Sequence, residues 1–251
     1  MIQPSDLVGG GMGPPDLLAA LFDPQTRRPQ DHRRTPGLRR RRNPAALPGG
    51  FVAMIKEELG PHWAHICVDM QLLFAPGEDW GLAWLPKVVP RVASLCAVDP
   101  SRTVFTRFIP ARRPGEGQGH WRSYYRRWAN LTLEEGGRPL IELVPELSGF
   151  APPADVTDKP VYSPWLGSDL RARLEGRGVD TLLVTGGETD MCVLSTILGA
   201  IDWGYRTVLV ADGVCSASDE AHNAMLSLFS KRYSQHVETA EVEQLVDRLS
   251  G

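Results

Sequence analysis

The 251-residue chain lacks several features that would assign it to a special class of protein. It has no apolar run of about 18 residues and no apolar segment near its N-terminus, so we expect neither a transmembrane helix nor a signal peptide. Its four cysteines are scattered without a C-x-x-C pair, which argues against a zinc ribbon or disulfide framework and favours a reducing compartment. The net charge of -3 carries no overall signature of nucleic-acid binding. These absences predict a cytoplasmic protein without membrane or nucleic-acid partners.

Lysine and glutamate are missing from residues 1–50, which differ in composition from the rest of the chain. This segment has eight prolines, seven glycines and eight arginines, including the run from Arg39 to Arg42, against four aspartates. Such a composition buries too little apolar surface to offset the entropy lost on ordering. We therefore predict that residues 1–50 form a flexible extension and that residues 51–251 form the folded domain. The alternative is a basic tail that contacts nucleic acid or an acidic partner.

From residue 51 onward, short apolar runs typical of buried strands alternate with segments of helical spacing. The predicted strands are residues 64–70, 102–108, 155–159, 180–185, 206–212 and 235–239. The predicted helices that follow them include residues 86–98, 164–177, 190–203, 218–230 and 241–249. This alternation predicts a parallel sheet with helices on both faces, which is a three-layer α/β/α fold. An insertion rich in Trp, Tyr and Arg, residues 109–154, follows the second strand.

Cys192 follows the fourth predicted strand, after a break at Gly186 and Gly187 and at the start of a helix. Ligands bind at the carboxyl ends of the strands in open α/β folds. A thiol at a helix N-terminus also lies at the positive end of the helix dipole, which favours the thiolate. Cys192 is therefore a candidate nucleophile, and the alternative is a small buried hydrophobic residue.

Two other reactive side chains end predicted strands: Asp69 ends the first and Lys159 ends the third. Because the carboxyl ends of parallel strands meet at one edge, we expect both to converge on Cys192. The carboxylate can take the thiol proton, the ammonium can stabilise the thiolate, and the thiolate can attack a carbonyl. Taken singly, each residue has an ordinary alternative, because a strand-end aspartate is often a cap and a strand-end lysine is often solvated.

Four segments carry a resemblance to a known family. They are residues 68–74, with the pattern D-x-Q-x-x-F; residues 159–165, similar to K-x-x-Y-S-x-F with Trp165 in place of Phe; residues 185–193, with T-G-x-x-T-x-x-C-V; and Asp212 with Ser216, Ser218 and His222. In this order and spacing they resemble the isochorismatase-like cysteine hydrolases, a superfamily that includes nicotinamidase and N-carbamoylsarcosine amidase. The resemblance implies a sheet with strand order 3-2-1-4-5-6.

The resemblance also implies the roles of the site residues. Asp69 would be the general base and acid, Lys159 its partner and Cys192 the nucleophile. Backbone N–H groups of Glu188 and Cys192 would form an oxyanion hole, and the peptide between Gly187 and Glu188 would be cis.

Four side chains in these segments are predicted to contact the substrate: Gln71, Phe74, Trp165 and Glu188. Glu188 stands where the family usually has a small or hydroxyl-bearing residue. It would bind a cationic or N–H-rich part of the substrate, or face outward in a salt bridge.

We expect no metal or organic cofactor. Nicotinamidase-like members bind a metal through an Asp-x-His pair and a second histidine, whereas this chain has Glu78, Asp79 and Trp80 there and no histidine from that point to Thr106. Members that act on isochorismate lack the cysteine, so its presence implies hydrolysis of a carbon–nitrogen bond.

The sequence thus predicts an amidohydrolase that cleaves a small amide, ureide or imide through a thioester and assembles as a homodimer or tetramer. The insertion would form a lid, with an arginine that binds a carboxylate, or an oligomer contact. The alternatives are hydrolysis of another bond type and a catalytically silent interaction protein of the same fold. Dinucleotide binding is disfavoured because the G-x-G-x-x-G pattern is incomplete.

Overall fold

The computed structural model describes residues 55–250, and the predicted N-terminal extension lies outside them. Its strands are β1 (Trp63–Val68), β2 (Thr103–Phe108), β3 (Asp155–Lys159), β4 (Thr181–Gly187), β5 (Arg206–Cys215) and β6 (Val237–Ala240). Its α-helices are α1 (Leu85–Cys96), α2 (Trp121–Arg127), α3 (Pro145–Ser148), α4 (Leu170–Gly176), α5 (Leu194–Asp202), α6 (Asp219–Lys231) and α7 (Val242–Ser250). None of these helices has the length and apolar character needed to cross a bilayer.

The strands form one parallel sheet of order β3-β2-β1-β4-β5-β6, which confirms the predicted topology. Every residue of β1 and β4 is buried, as expected for central strands covered on both faces. Successive strands are added outward from β1 to β3 on one side and from β4 to β6 on the other, so the direction of strand addition reverses between β1 and β4. In folds of this kind, a crevice opens at the carboxyl ends of the two strands on either side of such a reversal.

Helices cover both faces of the sheet, so the three-layer prediction is also confirmed. On one face α4, α5 and α6 pack on alternate residues of β1 and β4, among them Ile66 and Val184. On the other face α1 and α7 pack on the intervening residues, such as Leu183, and the insertion packs beside them. Full burial of an aliphatic side chain such as Leu182 contributes about 1.5–3 kcal/mol.

The helix after β3 starts later than predicted, at Leu170 instead of residue 164. The reason lies at Gly167, whose φ of 71° is outside the right-handed helical region and interrupts any helix that begins at residue 164.

The insertion is built from short helical pieces, with α2 and α3 its α-helical parts. Its C-terminal end is fixed to the end of β1 by backbone hydrogen bonds. Leu72 N donates to Glu142 O at 2.9 Å, and Val144 N donates to Met70 O at 3.0 Å. The insertion is therefore attached at the same sheet edge as the candidate site.

Candidate active site

Asp69 follows the last residue of β1 in a left-handed backbone conformation, with φ of 51°. Its N–H donates to Thr106 O at 3.1 Å, and the Thr106 hydroxyl donates to Oδ1 of Asp69 at 2.6 Å. Both contacts come from β2, the neighbouring strand. They hold a fully buried carboxylate at the carboxyl edge of the sheet.

Lys159 ends β3 and brings a fully buried ammonium to the same place. Its Nζ lies 2.7 Å from Oδ2 of Asp69 and 3.3 Å from Sγ of Cys192. It also donates to the carbonyl oxygens of Val161 and Tyr162, at 3.2 and 3.0 Å. Burial alone would lower the pKa of Lys159, but the charge of Asp69 and the contact with Cys192 outweigh burial and raise the pKa. The lysine therefore remains a cation between the acid and the thiol.

Cys192 lies in a π-helical turn, Thr189–Val193, that leads into α5. Its side chain is only 5% exposed. Burial first, and then the charge of Asp69, raise the pKa of the thiol well above its usual value, although Lys159 opposes the shift. This shift opposes the effect of the helix N-terminus, and the thiolate expected from the sequence stays a prediction.

The two oxygens of Asp69 have different partners. Oδ2 is buried in the ion pair with the Lys159 ammonium, whereas Oδ1 accepts the hydrogen bond from Thr106. The oxygen beside Lys159 is the candidate proton acceptor.

A glycine turn connects β4 to Cys192. Gly186 has φ of 110°, and a Cβ on it would lie 2.0 Å from the carbonyl oxygen of Val68, so the close approach of β4 to β1 requires glycine. The peptide between Gly187 and Glu188 is cis, as the resemblance implied. Thr189 then donates its hydroxyl proton to Cys215 O at 3.0 Å, and its oxygen lies 2.9 Å from Nδ1 of His222. Thr189 thus fixes the turn by bonding to β5 and α6.

Glu188 is half-buried beside the site, and its side chain makes no ion pair or hydrogen bond with the described residues. The predicted alternative of an outward salt bridge is therefore not seen within residues 55–250. Burial chiefly, together with the charges of Asp190 and Asp69, raises the pKa of Glu188 to about 7.

The other predicted substrate contacts are placed as follows. Gln71 is fully buried, and its amide is occupied by backbone groups: Nε2 donates to Phe108 O at 3.1 Å and Ile141 O at 2.8 Å, and Oε1 accepts from Phe108 N at 2.7 Å. Phe74 is 7% exposed and stacks on Trp80 with ring centroids 6.3 Å apart. These side chains shape the wall of the site, and their direct contact with a substrate remains a prediction.

Trp165 docks against α5. Its indole N–H donates to Thr196 O at 2.9 Å, and its ring stacks on Tyr205 with centroids 5.6 Å apart. The ring also lies over Gly199, where an added Cβ would come within 2.0 Å of Cδ1. Thr196 in turn donates to Cys192 O at 2.7 Å. This packing therefore holds residues 159–165, the lysine segment, against α5, the helix that follows Cys192.

An aromatic cluster from the insertion and its surroundings covers the site. It includes rings that the sequence did not single out as site residues: Trp80, Phe108, Trp121, Tyr124 and Tyr162. The Lys159 ammonium lies 5.2 Å from the centroid of the Phe108 ring. The sequence positions of two of these rings could have indicated that they belong to the site, because Phe108 ends β2 and Tyr162 lies within the lysine segment. The six arginines of the insertion are exposed, and binding of a substrate carboxylate by one of them stays a prediction.

The residues at the family's metal position do not fit a metal. Asp79 accepts a hydrogen bond from Asn130 Nδ2 at 2.7 Å, and Trp80 places an indole in the aromatic cluster. Across residues 55–250, no three His, Cys, Asp or Glu side chains are grouped so that they could hold a metal ion.

The chain is similar in sequence to known proteins. The Isochorismatase domain family matches residues 63–241, which is more than half of the chain. An uncharacterised isochorismatase family protein of Bacillus subtilis, YwoC, is 33% identical over 100 residues, or 40% of this chain and 52% of that protein. Maleamate amidohydrolase of Pseudomonas putida is 27% identical over 96 residues, 38% of this chain and 45% of the enzyme. The chain thus spans about half the length of the curated relatives it matches.

Solved structures share the fold. A cysteine hydrolase from Pseudomonas syringae superposes with a TM-score of 0.67 at 21% identity, covering 78% of this chain and 96% of that one. N-carbamoylsarcosine amidase from Thermoplasma acidophilum superposes with a TM-score of 0.58 at 21% identity, covering 72% and 96%. Because the match to the Isochorismatase domain covers residues 63–241, this chain belongs to the isochorismatase family.

Proposed function

We propose that this chain is a cysteine hydrolase that cleaves the carbon–nitrogen bond of a small amide, ureide or imide. The observation that supports this function best is the position of the Lys159 ammonium, 2.7 Å from Asp69 and 3.3 Å from Cys192. A buried acid, cation and thiol in mutual contact suit proton transfer coupled to nucleophilic attack. Relatives with amidohydrolase names, such as maleamate amidohydrolase, support the same class of reaction.

The first step forms a thioester. The Cys192 thiol gives its proton to Oδ2 of Asp69 as the sulfur attacks the substrate carbonyl. The backbone N–H groups of Glu188 and Cys192 hold the negative oxygen of the tetrahedral intermediate. Lys159 compensates the charge that moves between acid and sulfur. Asp69 then protonates the leaving nitrogen, so ammonia or an amine departs and the acyl group stays on Cys192.

The second step restores the enzyme. Asp69, again a carboxylate, takes a proton from a water molecule that attacks the thioester carbonyl. The carbon–sulfur bond breaks, the sulfur takes the proton back from Asp69, and the carboxylic or carbamic acid is released. No further reactant is needed, because one water molecule is consumed for each bond cleaved.

Two alternatives from the sequence remain distinguishable. Hydrolysis of another bond type would release no ammonia or amine, and a silent interaction protein would form no covalent intermediate. The aromatic cluster over the site suits a small organic molecule in either enzymatic case.

The experiment is ammonia release from a panel of small amides, carbamoyl amino acids, ureides and biuret, with Cys192→Ala as the blank. Quenched reactions are examined by mass spectrometry for an acyl group on the peptide that carries Cys192. Activity that is lost in Cys192→Ala, with the acyl adduct seen in the wild type, supports the proposal. Turnover that survives in Cys192→Ala contradicts it.

A further inference from the structure

The side chain of Glu188 has no cationic partner within the part of the chain that the structure describes. The residue sits at the cis peptide between β4 and the cysteine turn, and its own backbone N–H is one of the two proposed oxyanion donors. Its side chain is half-buried, and no described residue gives it an ion pair or a hydrogen bond. A carboxylate in this position adjoins the reacting carbonyl of any substrate held by that N–H group.

Two tyrosines lie in the neighbourhood of the Glu188 side chain. Tyr124 comes from α2 and Tyr162 from the segment after β3, and their hydroxyl groups interact with each other. Burial chiefly raises the pKa of both tyrosines, and the nearby charge of Glu188 raises both further. The two tyrosines belong to the aromatic cluster, and the charge of Glu188 is near enough to act on both.

Among residues 55–250, the charged and titratable groups near Glu188 are all neutral or negative. They are Asp69 after β1, Asp190 in the same turn, Cys215 of β5, and the two tyrosines. The nearest buried cation, Lys159, is already engaged by Asp69, Cys192 and two carbonyl oxygens. The arginines of the insertion face solvent. A substrate carboxylate placed beside Glu188 would find no counter-charge there, whereas a cation would.

We propose that Glu188 is the specificity-determining residue of this site, and that it selects substrates carrying a cationic or N–H-rich group next to the scissile carbonyl. Its carboxylate pairs with that group below the aromatic cluster, whose ring faces also favour a cation. The same charge repels substrates that carry a carboxylate at this position. This inference names a substrate class for the proposed hydrolase and rests on that proposed function.

The test uses covalent labelling of Cys192, which does not depend on turnover. Two reagents of similar size are compared at pH 8: cationic 2-aminoethyl methanethiosulfonate and anionic 2-sulfonatoethyl methanethiosulfonate. Each transfers its alkylthio group to the cysteine sulfur, forms a disulfide and releases methanesulfinate. The ratio of cationic to anionic labelling rates cancels any change in the reactivity of the thiol itself. Cys192→Ala serves as the blank for the other three cysteines.

We expect the wild type to favour the cation, and Glu188→Gln to lower the rate ratio about tenfold. Glu146→Gln, which removes an exposed carboxylate from α3, should leave the ratio unchanged. The inference is overturned if Glu188→Gln keeps the wild-type ratio, if it slows both reagents equally, or if neither reagent labels Cys192. Failure of the hydrolase proposal would show separately, as absence of turnover dependent on Cys192.

Discussion

The ammonium of Lys159 lies 2.7 Å from Oδ2 of Asp69, and both side chains are fully buried. Removing water from two opposite charges is costly, and their mutual attraction compensates only while both are present. The pair therefore links the stability of the fold to the chemistry of the site.

Lys159→Met should leave the Asp69 charge buried and unpaired, and so lower the free energy of unfolding by about 3–5 kcal/mol. The double variant Asp69→Asn/Lys159→Met should recover most of that loss, because neither charge remains. Activity should fall by about 10²–10⁴-fold in every variant that lacks the Asp69 carboxylate. Urea unfolding and ammonia release measure the two effects. A double variant no more stable than Lys159→Met would contradict this account of the pair.

Alkylation of Cys192 should report its protonation state. Because burial and Asp69 raise the pKa of the thiol, the rate with iodoacetamide should keep rising with pH through the alkaline range. Asp69→Asn removes a negative charge beside the sulfur, so its profile should move to lower pH even though turnover is lost. Mass spectrometry of the labelled peptide follows the reaction.

Asp158→Asn is the matched control, since Asp158 is an exposed carboxylate on the same strand as Lys159 and pairs with Arg107. Its alkylation profile should match the wild type. If the thiol of Asp69→Asn reacts less readily than the wild-type thiol at neutral pH, the carboxylate does not suppress ionisation as described.

The raised pKa of Glu188 gives substrate choice a pH dependence. Below pH about 7 the side chain is neutral, and above it the side chain is charged. The ratio of kcat/KM for 3-aminopropanamide, a cation, to that for the similarly sized neutral butanamide should therefore rise as pH increases through 7. For the anion succinamate, the corresponding ratio should fall over the same range. In Glu188→Gln both ratios should be flat there, and a retained slope would assign the titration to another group.

Gly199 offers a test of how the lysine segment is positioned. A Cβ at this place would lie 2.0 Å from Cδ1 of Trp165, so Gly199→Ala should destabilise the protein by about 1–3 kcal/mol. Displacement of Trp165 should also move the Lys159 segment and lower kcat. Gly176→Ala at the end of α4 is the control, because a Cβ there meets nothing within 4 Å. Equal stability of the two alanine variants would show that the ring relaxes without loss.

The fold was predictable because alternating apolar and helical segments leave few ways to bury both faces of a sheet. The convergence of Asp69, Lys159 and Cys192 was predictable from their places at strand ends. The raised pKa of the Cys192 thiol was not, because a helix start favours thiolate locally while burial against Asp69 acts only in the folded chain. The late start of α4 follows from the positive φ of Gly167, which the helical spacing of residues 164–177 does not reveal.

The partners of Gln71 and Trp165 also lie beyond sequence reasoning. Both belong to recognisable motifs, and a motif does not say whether a side chain faces a ligand or the protein. The amide of Gln71 donates to the carbonyl oxygens of Phe108 and Ile141, and the indole N–H of Trp165 donates to the carbonyl oxygen of Thr196. Such contacts join segments distant in sequence and become visible only when the elements are assembled.

The amide of Gln71 ties the end of β2 to the base of the insertion, and this has a mechanical consequence. Hydrogen bonds at residues 141–144 fix that base in register with β1, whereas α2 is held over the site largely by contacts between aromatic rings. Ring contacts can slide at low cost, but directional hydrogen bonds cannot. We therefore expect access to the nearly closed thiol to depend on the ring contacts of α2, which carries Tyr124, while Asp69 and Lys159 stay in place.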